Sequence, residues 1–178
     1  DNVLDLSHRE IIKNHLVGSD FPWFYHSNTV KNVSSNVNIF DSAQFTHTFY
    51  RYVENKGLPN SSFTEITDNI LRCFLNYQKI DRCEILRCRA NIQLQNKQRA
   101  DFAYNNPHKD LSIPHMVLLY YVNHSDGDTF IFNNELDILN QVSPVEGRFL
   151  LFDGDHLHAG SHPKHNKHRC VINFNLRF

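Results

Sequence analysis

A helical preface followed by a run of strands predicts a mainly β protein, a sandwich or barrel with supporting helices laid against it. Three observations predict it. Both segments with helical spacing and N-terminal caps lie before Asp81. From residue 84 onward the hydrophobic period changes from about 3.6 to two. The apolar runs "MVLLYYV", "TFIFN", "GRFLLFDG" and "RCVINFNLRF" are then separated by short polar or Gly-containing turns. The 178 residues suffice for one domain with a real core, residues 1–83 giving helical and strand support and residues 84–178 the β-core. No internal repeat or low-complexity segment is visible.

Ser7 with Glu10 three residues on fits a capping box, so a first helix is expected to about Leu16, closed near Gly18. "DFPWFYHSNTV" holds the sole tryptophan, Trp23, and Pro22 disfavours helix there; an aromatic strand on the core is expected. Residues 31–38 are polar and read as a loop. "FTHTFYRYV" at 45–53 alternates like a half-buried strand, and Gly57 and Pro59 break it. Ser62 with Glu65 forms a second capping box before the best helix of the chain. There Ile66, Ile70, Phe74 and Tyr77 share a face, with Leu71 and Leu75 beside them, and that face reads as core. Over 84–95, Ile85, Cys88, Ala90, Ile92 and Leu94 stand against Arg89, Asn91 and Gln93. The apolar face (Ala90, Ile92, Leu94) should meet the helices. The polar face should look into the barrel or, equally well, towards water.

Hydrophobic residues make up 40% and charged residues 21%, a globular rather than a disordered balance. A net charge of -1 gives no electrostatic footprint for nucleic acid or an anionic membrane. Cys73, Cys83, Cys88 and Cys170 lack the spacing of a complete zinc site and read as reduced, mostly buried thiols. No apolar run is long enough to cross a bilayer, and "DNVLDLSHRE" has neither the basic start nor the apolar stretch of a signal peptide. A cytoplasmic protein is the expectation. The sequence leaves the oligomeric state open.

Among the 12 histidines, three are followed two residues later by a carboxylate: His8/Glu10, His108/Asp110 and His124/Asp126. His8 and Glu10 fall in a helix, where such residues point to different faces. His124 and Asp126 sit in "NHSDGD", a turn by composition. His108 and Asp110 open an extended segment after Pro107, where residues two apart aim at one point. An imidazole and a carboxylate so aimed are two corners of a facial metal triad; a loop histidine with a capping aspartate is the plainer alternative. "GRFLLFDGDHLHAGSHP" offers His156, His158 and His162 for the third corner, and spacing does not choose between His156 and His158. His162, His165 and His168 in "SHPKHNKH" read as solvated. Arg169 opens the last strand, and its neighbours Val171 and Phe174 favour an interior position over an edge. Buried there, its fork of donors would hold a dicarboxylate bidentately.

Together these pieces resemble the Fe(II)- and 2-oxoglutarate-dependent oxygenases, in the prolyl 4-hydroxylase-like branch. They are "HKD" at 108–110, "VLLYYVN" at 117–123, "DGDTFIF" at 126–132, "VEGRFLLFDGDHLHAG" at 145–160 and "HRCVINF" at 168–174, in family order and spacing. "FPWFY" and "FTHTFYRYV" are similar to the small phage-type members, which would place the protein in a host cytoplasm. The resemblance implies a double-stranded β-helix (jelly roll) with N-terminal supporting helices. It implies His108, Asp110 and His158 as iron ligands, His158 being preferred to His156 by its "LHAG" setting. Arg169 would pair with the distal carboxylate of 2-oxoglutarate and Tyr121 would donate to the same group. Asn91 becomes a cosubstrate or substrate contact, and Asn173 and Asn175 invite the same reading. The family's Gly-Gly-Glu-Thr turn stands here as Asp126, Gly127, Asp128 and Thr129, a departure expected to alter the turn more than the chemistry.

The implied cofactors are Fe(II), 2-oxoglutarate as cosubstrate, and O2. The implied reaction hydroxylates a C–H bond and releases succinate and CO2. A prolyl residue in a protein or peptide is the expected substrate, with a free amino acid or other small molecule as the alternative. Nucleic acid is disfavoured by the near-neutral charge. From a different class, a non-catalytic metal-binding jelly-roll module would have no need of Arg169 and Tyr121. The loop at 97–106, with Phe102 and Tyr104, would suit a lid over the site or an inert surface.

Overall fold

Two antiparallel sheets face each other in the computed structural model, which describes residues 1, 3–29, 42–98 and 104–178. The loop expected at 31–38 and residues 99–103 of the one at 97–106 lie outside the described residues. The elements run α1 (Leu6–Val17), β1 (Phe24–His26), β2 (Gln44–Val53), β3 (Lys56–Pro59), α2 (Thr64–Gln78), β4 (Glu84–Leu94) and β5 (Met116–Tyr121). Then follow β6 (Thr129–Phe132), β7 (Ile138–Val142), β8 (Phe149–Asp153), β9 (Leu157–Gly160) and β10 (His168–Arg177). The larger sheet is ordered β1-β2-β4-β10-β5-β8, with β3 paired to β2; the smaller is β7-β6-β9. Residues 104–108 run antiparallel beside β9, with Asn105 N donating to Gly160 O and His108 and His158 exchanging both backbone hydrogen bonds, each at 3.0 Å. This is the double-stranded β-helix.

The period of two sorts the strands into faces. Leu118 and Tyr120 of β5 and Cys170, Ile172, Phe174 and Leu176 of β10 join Ile12, Leu16, Ile70, Leu71 and Phe74 of the helices in the main core. The intervening residues Val117, Leu119, Tyr121 and Val171 point the other way, towards Ile131 and Phe152, between the sheets. The same alternation sends Cys88 and Ala90 of β4 to the helices and its polar residues inward. Arg169 therefore lies on a central strand, paired on both sides. Among the described residues no helix is long and apolar enough to cross a membrane.

Several local expectations are corrected. Asp5, not Ser7, caps α1: its carboxylate accepts from His8 N at 2.9 Å, where the helix dipole also favours an anion. The second capping box does not form either; Ser61 Oγ accepts from Phe63 N, and α2 starts at Thr64 without a side-chain cap. Tyr77 is 62% exposed, and Thr67 completes the buried face with Ile70, Leu71 and Phe74. Gly57 and Pro59 do not end the β structure. Glu54 and Asn55, both at positive φ, make a two-residue turn that returns the chain as β3. The tip of β4 runs past the helices, leaving Leu94 exposed. From the aromatic segment Phe21 enters the core, while Phe24 and Tyr25 on the three-residue β1 stay exposed. The edge strand β7, mostly exposed and without apolar alternation, was not expected. His162 is buried, its Nδ1 2.9 Å from Leu94 O, rather than solvated.

Candidate active site

Between the sheets lies a cavity of about 490 Å³. One wall is β4, whose inward face presents Arg87, Arg89, Asn91 and Gln93 in alternation. Beside it β10 contributes Arg169, Val171 and Asn173. Opposite stand Thr129 of β6, His158 and Gly160 of β9, and the extended segment that carries His108 and Asp110.

Antiparallel pairing at His108 and His158 brings two imidazoles from distant parts of the chain to a ring-centroid distance of 4.8 Å. Asp110, two residues beyond His108, turns its carboxylate between them: Oδ1 lies 3.8 Å from His108 Nε2 and Oδ2 3.6 Å from His158 Nε2. One ligand atom from each residue falls within 4.8 Å of the others. His156, by contrast, is exposed and is not among the residues lining the cavity, so the geometry selects His158. His8/Glu10 and His124/Asp126 stay outside. Asp126 accepts instead from the backbone of Lys164, His165 and Asn166, a purely structural role.

The donor set suits a divalent cation. His108 Nδ1 faces Asn106 O at 3.0 Å; donating its proton there leaves the Nε2 lone pair aimed at Asp110. Burial pushes the His158 imidazole down to about 4, against the pull of Asp110, so it is neutral and a ready ligand. Burial acts to raise Asp110, yet Arg87, His158, His108 and Asn175 outweigh it and hold its carboxyl well below the usual range. Arg87 donates to Oδ1, while Asn173 and Asn175 donate to Oδ2 at 2.9 and 2.8 Å. Arg87 Nε in turn bonds Asn175 Oδ1 at 2.7 Å, tying the group into one network across β4 and β10.

At the other end of the cavity Arg169 is 4% exposed. Its Nη1 donates to Gln93 Oε1 (3.1 Å) and its Nη2 to Thr129 Oγ1 (2.8 Å). Tyr121 also donates to Thr129 Oγ1, at 2.8 Å. With two donors on its oxygen, Thr129 has its own proton left for an acceptor in the cavity. Gly160 keeps that end open, since a Cβ there would stand 3.1 Å from Arg169 Nη1. A buried guanidinium, a hydroxyl proton and the amide of Gln93 together fit a carboxylate.

The structure thus brings His108, Asp110, His158, Arg169 and Asn91 to one cavity. Tyr121 reaches it only through Thr129. Arg87, Gln93 and Thr129 join the site without having been given a role in it by sequence reasoning, although Arg87 and Gln93 share the alternation of Arg89 and Asn91. Tyr104 does not cover the cavity; its ring packs at a tilt against Phe130 and Phe132, on the opposite face of β6.

No family model matches the chain, and no curated protein matches it. Solved structures do. An oxidoreductase of the 2OG-Fe(II) oxygenase family from Burkholderia pseudomallei is similar with a TM-score of 0.70 and 13% identity, over 98% of this chain and 80% of that one. A prolyl-4-hydroxylase from Pseudomonas putida is similar with a TM-score of 0.50 and 13% identity, over 76% of this chain and 72% of that one. The chain has the fold of the 2OG-Fe(II) oxygenases.

Proposed function

We propose that the protein is a Fe(II)- and 2-oxoglutarate-dependent dioxygenase that hydroxylates a C–H bond. The observation that carries this reading is the pairing, in one cavity, of the His108/Asp110/His158 cluster with the buried Arg169. A metal-binding module would need the first but not the second.

His108, Asp110 and His158 would hold Fe(II). Arg169 and Thr129 take the distal carboxylate of 2-oxoglutarate, and Tyr121 orients Thr129. Asn91, on the same wall as Gln93, contacts cosubstrate or substrate in this reading. When bound, the iron supplies the oxidising chemistry: one atom of O2 enters the substrate as hydroxyl and the other enters succinate, formed from 2-oxoglutarate with loss of CO2. The network on Asp110 keeps that carboxylate ionised and fixed in place, ready for a metal.

A prolyl residue in a protein or peptide is the substrate that the motif resemblance favours. A free amino acid is a second reading, favoured by a cationic residue in the cavity that neither iron nor cosubstrate needs. The test is an anaerobic titration of metal-free protein with Fe(II) and then 2-oxoglutarate, followed by the visible charge-transfer band of a chelated keto acid. Wild type should develop the band; Arg169→Ala should lose it or need far more 2-oxoglutarate. Absence of the band in wild type, with zinc bound tightly, would overturn the dioxygenase reading.

A further inference from the structure

The cavity is more cationic than its proposed contents require. Its described lining holds Arg87, Arg89, Lys109 and Arg169 against a single carboxylate, Asp110, in a chain whose net charge is only -1. Arg87 is committed to Asp110, Lys109 to Asp155 at 2.5 Å, and Arg169 to the cosubstrate end. An iron dication and a 2-oxoglutarate dianion cancel each other. Arg89 is left over. Its Nε is buried without a hydrogen-bond partner, and burial, then the neighbouring Arg87, press its pKa down against the pull of Asp110. A half-buried guanidinium in that condition is costly to hold unless something anionic joins it.

Its place in the sheet says where that anion lies. Arg89 stands opposite Asn173 in the β4/β10 register, and Asn173 Nδ2 donates to the metal-facing Asp110 Oδ2. Because a carboxylate only accepts, the Asn173 amide is fixed with its oxygen turned away from Asp110. That oxygen is also buried and without a partner. An orphan donor and an orphan acceptor are therefore carried by register partners of one strand pair, and the residue with the acceptor also donates to Asp110.

We infer that Arg89 and Asn173 form the substrate subsite, and that the substrate presents a carboxylate to Arg89 and an adjacent N–H to Asn173 Oδ1, as an α-amino or α-imino acid does. The inference rests on the dioxygenase reading for the term substrate, but not for the binding itself. The carboxylate has two sources: a free amino acid, or the C-terminal residue of a peptide. The cavity is modest for a site that must also hold the cosubstrate.

The test is calorimetric titration with L-proline, L-leucine, their amides, and dipeptides ending in leucine, whose peptide N–H stays available to Asn173. It is run on metal-free protein and on protein loaded anaerobically with Fe(II) and 2-oxoglutarate. A carboxylate form should bind about tenfold to a hundredfold more tightly than its amide. Arg89→Gln should reduce it to the amide's level, and Arg89→Lys should fall between, with thermal unfolding confirming that both variants fold. Neither variant should alter 2-oxoglutarate affinity. Binding of free acids but not dipeptides identifies the first source, and the reverse the second. Equal binding of acid and amide, no binding of any acid, or loss of 2-oxoglutarate affinity in Arg89→Gln would overturn the inference. Failure of wild type to bind 2-oxoglutarate would instead strike the dioxygenase reading, leaving the acid-versus-amide comparison on metal-free protein intact.

Discussion

The chemistry of the site turns on Asp110, a buried charge surrounded by donors. Replacing Arg87 by Met should leave that carboxylate with only its two amide donors and destabilise metal-free protein by about 3–5 kcal/mol. A bound divalent cation restores the missing positive charge, so Zn(II) should close most of the gap between variant and wild type. Urea unfolding of both proteins with and without Zn(II) measures this. A gap of equal size in both conditions would mean that Arg87 contributes packing, not charge. At this scale His108, Asp110 and Arg169 were legible, because residues two apart on an extended chain share a direction and a charge amid apolar strand residues stands out. His156 and His158 could not be separated by spacing. Their facing is set by pairing with β6 and with His108, which is non-local. Arg87 was hidden because two consecutive apolar residues, Ile85 and Leu86, precede it and blur the start of an alternation that Arg87 itself keeps. Thr129 was hidden differently: a threonine opening a strand reads as ordinary β-former.

Among the elements, the β2–β3 hairpin shows how backbone proximity escapes a composition-based reading. Gly57 reads as a strand breaker, yet it lies within β3 because the hairpin crosses closely over the start of β4. A Cβ on Gly57 would stand 2.0 Å from Ile85 O. Ile85 cannot yield, being paired with Leu176 of the central β10. Gly57→Ala should therefore push β3 off β4 and cost about 1–3 kcal/mol in thermal unfolding, a penalty of steric overpacking. Since β3 does not line the cavity, 2-oxoglutarate affinity should be unchanged; a parallel loss would show that the hairpin supports the site. An apolar run or a sustained period was what made a segment legible. The face of α2 and the strands β2 and β4 follow from helical spacing or alternation, and β5, β6, β8 and β10 from apolar runs. The helix caps rest on one or two local interactions each, and β7, mostly exposed, and the four-residue β9 carry neither signal.

In the whole molecule, helices, large sheet, polar cavity and small sheet are stacked so that several imidazoles are held away from water. His47 sits among Phe21, Phe49 and Phe63, with ring nitrogens 2.8 Å from Pro22 O and 2.7 Å from Ser61 Oγ. Burial lowers the pKa of His47 and of His168, and takes His158 to about 4. The unfolded chain has ordinary imidazoles near 6.5, so below that pH it takes up protons that the native state refuses. Stability is therefore full above about pH 6.5 and falls as pH drops towards 4, where His158 itself titrates in the folded state. Asp110 has the depressed folded value of a paired carboxylate; its contribution persists to below the ordinary carboxylate range and plays no part in this window. From His158 alone the loss between pH 6.5 and 5 should be about 2 kcal/mol. Urea unfolding of metal-free protein at pH 7 and at about 5 checks the direction, and His158→Asn should remove its share of the difference. Zn(II) should steepen the dependence, because protons and metal compete for the same imidazoles. A wild-type stability that stays level across this range would mean that the imidazoles are protonated within the fold, and that His158 does not present the neutral ring a metal ligand requires.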